Sequence, residues 1–226
     1  MATFNHGKKF MGHNLKFDRR LNFWMFVVTF VLLFHVGHGS KLEVCSWSDI
    51  SGNYISAGTH SVPEAGCRMK KYMWVNAVVT IEGVSGTFRV LQSNRVYNYG
   101  GAAGSDHRHF KLFSGKLTLN YLKLTWGETG NTNGGFIYMV SGTLAINWVH
   151  FDGSKTKTSV SHAKYGGCIY VIDGKVTIKK STFEGFRATH GGAIYVQKTS
   201  DPMTIESTTF KDNEATVRFI YRLAFI

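Results

Sequence analysis

Tyr138, Tyr170 and Tyr195 each close the same phrase: Gly134-Gly-Phe-Ile-Tyr138, Gly166-Gly-Cys-Ile-Tyr170 and Gly191-Gly-Ala-Ile-Tyr195. Val217-Arg-Phe-Ile-Tyr221 repeats its ending without the glycines. In a strand, successive side chains take opposite faces, so an inward isoleucine puts the tyrosine outward. Stacked strands lie about 4.8 Å apart, so the four rings would form a ladder. Such a ladder has two uses. It can be a flat strip for sugar rings, or a self-stacked strut whose pairs contribute roughly 0.5–1.5 kcal/mol each. Beside it, the polar stretch Ser154–Lys164 lengthens the spacing between two of the phrases and carries Lys155, Lys157 and Lys164. It reads as a basic loop inserted at one turn, where stacked repeats often bind. Tyr138, Tyr170, Tyr195, Tyr221, Lys155, Lys157 and Lys164 are therefore the candidate ligand-binding residues.

Acid/base chemistry has less to work with. Cleavage of a glycosidic bond needs two acids facing one bond, about 5–9.5 Å apart, and calcium needs several clustered oxygens. Only Asp152 and Glu184 share a place in the repeat, with Lys211 next in line, while Asn120, Asn147, Lys179 and Glu206 form a mixed polar column. His107 and His109 alternate as strand ligands would, but lack a third partner and read as a solvated loop pair. Cys45, His60 and Cys67 lack the tight spacing of a zinc site. The sequence has no phosphate-cradling Gly-x-x-x-x-Gly-Lys. No metal, cofactor or specific nucleic-acid contact is expected.

The elements that must hold these residues are themselves repeated. Lys116-Leu-Thr-Leu-Asn-Tyr-Leu-Lys-Leu124 is followed by Thr143-Leu-Ala-Ile-Asn-Trp-Val-His-Phe151, Lys175-Val-Thr-Ile-Lys-Lys-Ser-Thr-Phe183 and Pro202-Met-Thr-Ile-Glu-Ser-Thr-Thr-Phe210. Apolar residues hold the second, fourth and ninth places. The alternation predicts strands, with Leu117/Leu119, Leu144/Ile146, Val176/Ile178 and Met203/Ile205 inward. Leu124, Phe151, Phe183 and Phe210 would make a further inward column. Repeats of this length mean stacked units, none able to bury its apolar face alone.

Gly191-Gly-Ala-Ile-Tyr195, with Thr-Thr-Phe-Lys-Asp-Asn nearby and Phe210–Asn213 meeting a Phe-x-x-Asn pattern, resembles the polymorphic outer-membrane-protein type of repeat. The resemblance runs from about Phe110 to the C-terminus and implies an all-β chain folded as a right-handed parallel β-helix of the pectate-lyase-like superfamily. Phe151 and Phe183 are followed at the same offset by Ser154 and Phe186 instead of asparagine.

Phe23–Phe34 is apolar but for one threonine, with Lys16, Arg19 and Arg20 before it and Gly37-His-Gly39 after it. That describes a secretory signal peptide, since a spanning helix needs about 20 apolar residues. An uncleaved signal-anchor is the alternative, and Met11 is an alternative start. The division expected is a leader over 1–39, an N-terminal cap region over 40–74 and rungs over 75–226, the last unfinished. In an oxidising compartment Cys45 and Cys67 would pair. Cys168, in the place of Phe136 and Ala193, is a packing residue.

The formal net charge of +12 favours anionic partners. The function expected is a secreted or cell-surface binding or adhesion module for acidic polysaccharide. A polysaccharide lyase or hydrolase and a fragment of a larger surface protein are the alternatives. Self-association through the open last rung is a further expected contact, because repeat arrays need a polar cap.

Overall fold

The computed structural model describes residues 45, 54–69, 71–93, 107–127, 132–154, 163–198 and 201–218. The leader, Lys155, Lys157 and Tyr221 lie outside them. The described residues contain strands and no helix, and every strand-to-strand pairing is parallel. In the largest sheet Gly58–Ser61, Val78–Glu82, Lys116–Thr125, Thr143–Asp152, Lys175–Lys179 and Thr204–Glu206 lie side by side in chain order. Met73–Val75, Phe110–Leu112, Ile137–Met139, Ile169–Val171 and Ile194–Val196 make a second sheet, again in chain order. A third holds Ala163–Tyr165, Arg187–His190 and Glu214–Arg218. Each pass of the chain thus lays a strand beside the one before it, an arrangement compatible with a β-helix or a solenoid-like fold.

The register matches the repeats place for place. Leu117 pairs with Leu144 and Leu144 with Val176; Leu119, Ile146, Ile178 and Ile205 form the next row. These side chains are buried as far as Ile178, whereas Met203 and Ile205 are only half-buried. Phe151, Phe183 and Phe210 stack in turn, with centroids 4.7 and 5.0 Å apart. Phe210, expected inside, is 41% exposed, because among the described residues no strand pairs with Thr209–Lys211 beyond Thr182–Glu184.

A straight strand cannot put places two, four and nine on one side, because parity forbids it. The sixth place resolves this. Tyr121, Trp148, Lys180 and Ser207 all have left-handed backbones, with φ of 53°, 54°, 49° and 48°. Each bends the segment and shifts its phase, so places seven and nine turn inward after it. Leu122 and Val149 accordingly join Leu124 and Phe151 in the core. Where place seven is Ser181, the buried hydroxyl accepts from Val149 N at 3.1 Å and donates to the Lys179 carbonyl at 2.7 Å. A left-handed L-residue costs roughly 1–2 kcal/mol, which burial of two further side chains per segment offsets.

The paired glycines answer a spacing problem. Gly167 N donates to Gly192 O at 2.9 Å, and a Cβ on Gly167 would stand 2.2 Å from that same oxygen. Gly135 meets Gly167 in the same way, at 2.3 Å. Successive passes touch backbone to backbone here, so no side chain fits. Asn213 ties its pass to the previous one: its Oδ1 accepts from Phe186 N at 3.0 Å and its Nδ2 donates to Phe183 O at 2.8 Å. Phe186, at the asparagine offset of its own pass, is buried edge-on to Phe136 instead. Near the other end Cys45 and Cys67 form a disulfide with Cα atoms 5.2 Å apart, worth about 3 kcal/mol in the chain-entropy account. Gly167→Ala is expected to destabilise the protein by on the order of 3 kcal/mol, read from chemical denaturation; an unchanged midpoint would contradict the close approach.

Candidate functional site

Ile169 pairs with Ile137 and Ile194, so Tyr138, Tyr170 and Tyr195 stand in one column. The isoleucines of the first two passes, Ile137 and Ile169, are fully buried, as strand alternation requires. The rings lie 5.4 Å (Tyr138 to Tyr170) and 5.7 Å (Tyr170 to Tyr195) apart, the second pair nearly parallel at 12°. Tyr170 is not an open surface. It is 6% exposed, with Tyr165 at 6.2 Å and its hydroxyl donating to Gln197 Oε1 at 2.6 Å. Burial pushes its phenol above the ordinary value, and the phenols of Tyr138, Tyr195 and Tyr165 add to the effect. Tyr138 and Tyr195 are half-buried and present the accessible ring surface.

The column extends beyond the Gly-Gly phrases. Lys111 pairs with Tyr138 and with Trp74, and Tyr54 bridges Trp74. The order along the sheet is therefore Tyr54, Trp74, Lys111, Tyr138, Tyr170, Tyr195. Lys111 Nζ sits 3.9 Å from the Tyr72 ring centre and 6.0 Å from that of Trp74. Arg108, buried, lays its guanidinium 5.2 Å from the Tyr138 ring centre and donates through Nε to the Gly134 carbonyl at 3.0 Å. Trp74, Lys111 and Arg108 escape a reading by repeats because their segments lack the glycine pair; only the register reveals them.

Lys164 does not belong to a loop. It lies in the strand Ala163–Tyr165, which pairs with Arg187–His190. Its Nζ is 5.5 Å from the Tyr165 ring centre, and Tyr165 lies 4.6 Å from Tyr195 and 4.8 Å from His190. The strand pairing thus brings Lys164 to the aromatic column. The whole arrangement offers ring edges and faces between cations, suited to an anionic ligand with apolar patches.

The charged column is built differently. Asp152 pairs with Glu184, and Glu184 with Lys211. Lys123 Nζ lies 3.1 Å from Asp152, while Glu184 receives His150 at 3.2 Å and Lys211 at 2.6 Å. Burial alone would raise the Asp152 pKa, but Ser154 and the Lys123 ammonium outweigh it and hold it low. Lys211, with His150 secondary, holds Glu184 low as well. Both groups are thereby kept as carboxylates, the wrong state for a general acid. Among the described residues no group of three His, Cys, Asp or Glu could hold a metal ion. Cys168 is fully buried, and burial pushes its thiol up, so it stays neutral.

His109 overturns its expected place in a solvated loop. It is fully buried, stacked 4.8 Å from Phe136, with Nε2 3.2 Å from the Leu91 carbonyl. It holds the place that Phe136, Cys168 and Ala193 hold in the later passes, all of them buried. His107 keeps partial exposure.

No protein-family model matches the chain, and no curated protein and no solved structure matches it.

Burial lowers the His109 pKa from 6.5 to about 3, against the opposing pull of the Leu91 and Thr125 carbonyls. The unfolded chain takes up this proton below its ordinary pKa while the folded protein refuses it until near the lowered one. Stability is full above that upper pKa and falls with pH below it, by roughly 3 kcal/mol at about pH 4 from this residue alone. Chemical denaturation across that range checks it: His109→Gln should flatten the slope, and a wild-type stability independent of pH there would refute it.

Proposed function

We propose that the chain is a right-handed parallel β-helix acting as a secreted or cell-surface binding module for acidic polysaccharide. The observation that carries this reading is the register-locked column of Trp74, Lys111, Tyr138, Tyr170 and Tyr195, with Arg108 against the Tyr138 ring and Lys164 against Tyr165, which packs on Tyr195. Aromatic rings suit the apolar faces of sugars, and ammonium and guanidinium groups suit their carboxylates or sulfates. The column runs across successive strands, along the direction in which a polymer would lie. Three parallel sheets built in chain order support the coil, and the Cys45–Cys67 disulfide supports an oxidising compartment.

Among the described residues the two acids that share a column, and so could face one bond of such a polymer, are Asp152 and Glu184. Their ion pairs favour a structural role for both. Binding is therefore the better-supported activity.

The test is retention on immobilised polygalacturonate beside a neutral glucan, with product absorbance followed in parallel. Retention should fall with added salt. Tyr195→Ala, which removes one of the two accessible rings, should weaken it about fivefold, equivalent to about 1 kcal/mol. Lys164→Ala should lower it selectively on the acidic polymer. Equal retention on both polymers, or none on the acidic one, would refute the reading; unsaturated product would replace it with a lyase.

A further inference from the structure

A second outward column stands at the left-handed bend, and it carries features the tyrosine column lacks. Glu82 pairs with Asn120 and Arg89 with Leu122. The single residue Tyr121 is thus replaced, one pass earlier, by the whole stretch Gly83–Phe88. That stretch turns back on itself through the Val84–Thr87 bridge, the one antiparallel contact among the described residues. It leaves Val84 and Phe88 53% and 50% exposed. Next along the same bend come Tyr121, then Trp148 at 42% exposure, then Lys180. One corner thereby gathers an apolar loop tip, two amphipathic rings and a lysine.

The way Trp148 is held decides between occupants. Tyr121 lies nearly parallel to it from one neighbouring strand, with centroids 6.2 Å apart and planes at 17°. Lys180 Nζ covers it from the bend of the next pass, 4.7 Å from the ring centre. Both faces are covered in this arrangement, which disfavours stacking of a sugar ring there. What remains open is the ring edge, together with the tips of Val84 and Phe88. Edges and tips suit entry into a lipid headgroup layer, where tryptophan, tyrosine and lysine are the favoured residues. Lys179 is committed to Glu206 at 3.0 Å, whereas Lys180 makes no ion pair among the described residues. Glu82 stands at the loop base, but the chain as a whole carries +12.

We propose that this corner, formed by Val84, Phe88, Tyr121, Trp148 and Lys180, is an edge that docks on anionic membrane surfaces. The tip and ring edges enter the headgroup layer, and Lys180 swings from the indole to a lipid phosphate or carboxylate. Overall positive charge brings the protein to the surface.

Phe23–Phe34 could itself bring the chain to vesicles, so the readout belongs at the corner. Ser85→Cys in the full chain, labelled with an environment-sensitive fluorophore, is mixed with phosphatidylcholine vesicles with and without phosphatidylserine. A blue-shifted, brighter emission on the anionic vesicles is expected. Phe88→Ser with Trp148→Ser should abolish the shift even while the chain still sediments with the vesicles. Lys180→Ala should weaken the response to anionic lipid about fivefold. Phe88→Ser alone, in an exposed turn, keeps the test valid should the Trp148 variant not fold. No spectral change on anionic vesicles would overturn the proposal. So would a change produced by oligogalacturonate and not by vesicles, which would assign the corner to the glycan; retention through Tyr195 and Lys164 is tested separately.

Discussion

Parallel stacking in strict register governs everything else in this molecule. Each residue meets its counterpart about 4.8 Å away in the next pass, so a side chain is chosen to suit its own kind above and below. Inside, that favours rows of leucine, isoleucine and phenylalanine, as in the Phe151, Phe183 and Phe210 stack. Where backbones must touch, it permits only glycine, hence Gly135, Gly167 and Gly192. The repeated phrases are the record of this single constraint, applied once per pass.

The same constraint acts in reverse on charge. Identical ions directly opposite one another repel, so an outward column cannot simply repeat lysine or glutamate. The polar columns instead alternate into partners. Asn147 donates to Asn120 at 3.0 Å, Lys179 pairs with Glu206, and Glu184 sits between His150 and Lys211. Mixed composition along a column is what a stacked fold requires of its charged faces. It explains why Asp152 and Glu184, which share a column, are both neutralised by neighbours instead of being left to act as an acid pair.

Much of the architecture was legible in the sequence because register and repetition are the same information. The pairing of Leu117 with Leu144 and Val176, and of Tyr138 with Tyr170 and Tyr195, follows from aligning the phrases. What was hidden depended on passes that do not repeat. Trp74 and Lys111 extend the tyrosine column from segments without the glycine pair, and Arg108 reaches it from just before the strand that carries Lys111. His109 looked solvated because its polar neighbours gave no sign that it is the counterpart of buried Phe136, Cys168 and Ala193. Lys164 looked like loop, since three residues are too few to show alternation. The burial of Tyr170 could not be read either, because the ring beside it, Tyr165, comes from a different sheet.

The left-handed sixth place links interior to surface. Its bend carries the inward phase from even to odd places, which is why Leu122, Leu124, Val149 and Phe151 all reach the core. A side chain at a convex bend has nowhere to go but outward, so the device that completes the core also displays whatever residue occupies it. Glycine would adopt this backbone with the least strain, yet the occupants are Tyr121, Trp148, Lys180 and Ser207. Stacking of Tyr121 on Trp148, and of Lys180 over the indole, recovers part of that strain. It does not account for the exposure of Trp148, since a smaller side chain would satisfy the core equally well. The interior demands the bend but not a large ring displayed on it, and the neighbouring pass, which replaces this one residue with a loop bearing exposed Val84 and Phe88, adds apolar surface to the same corner.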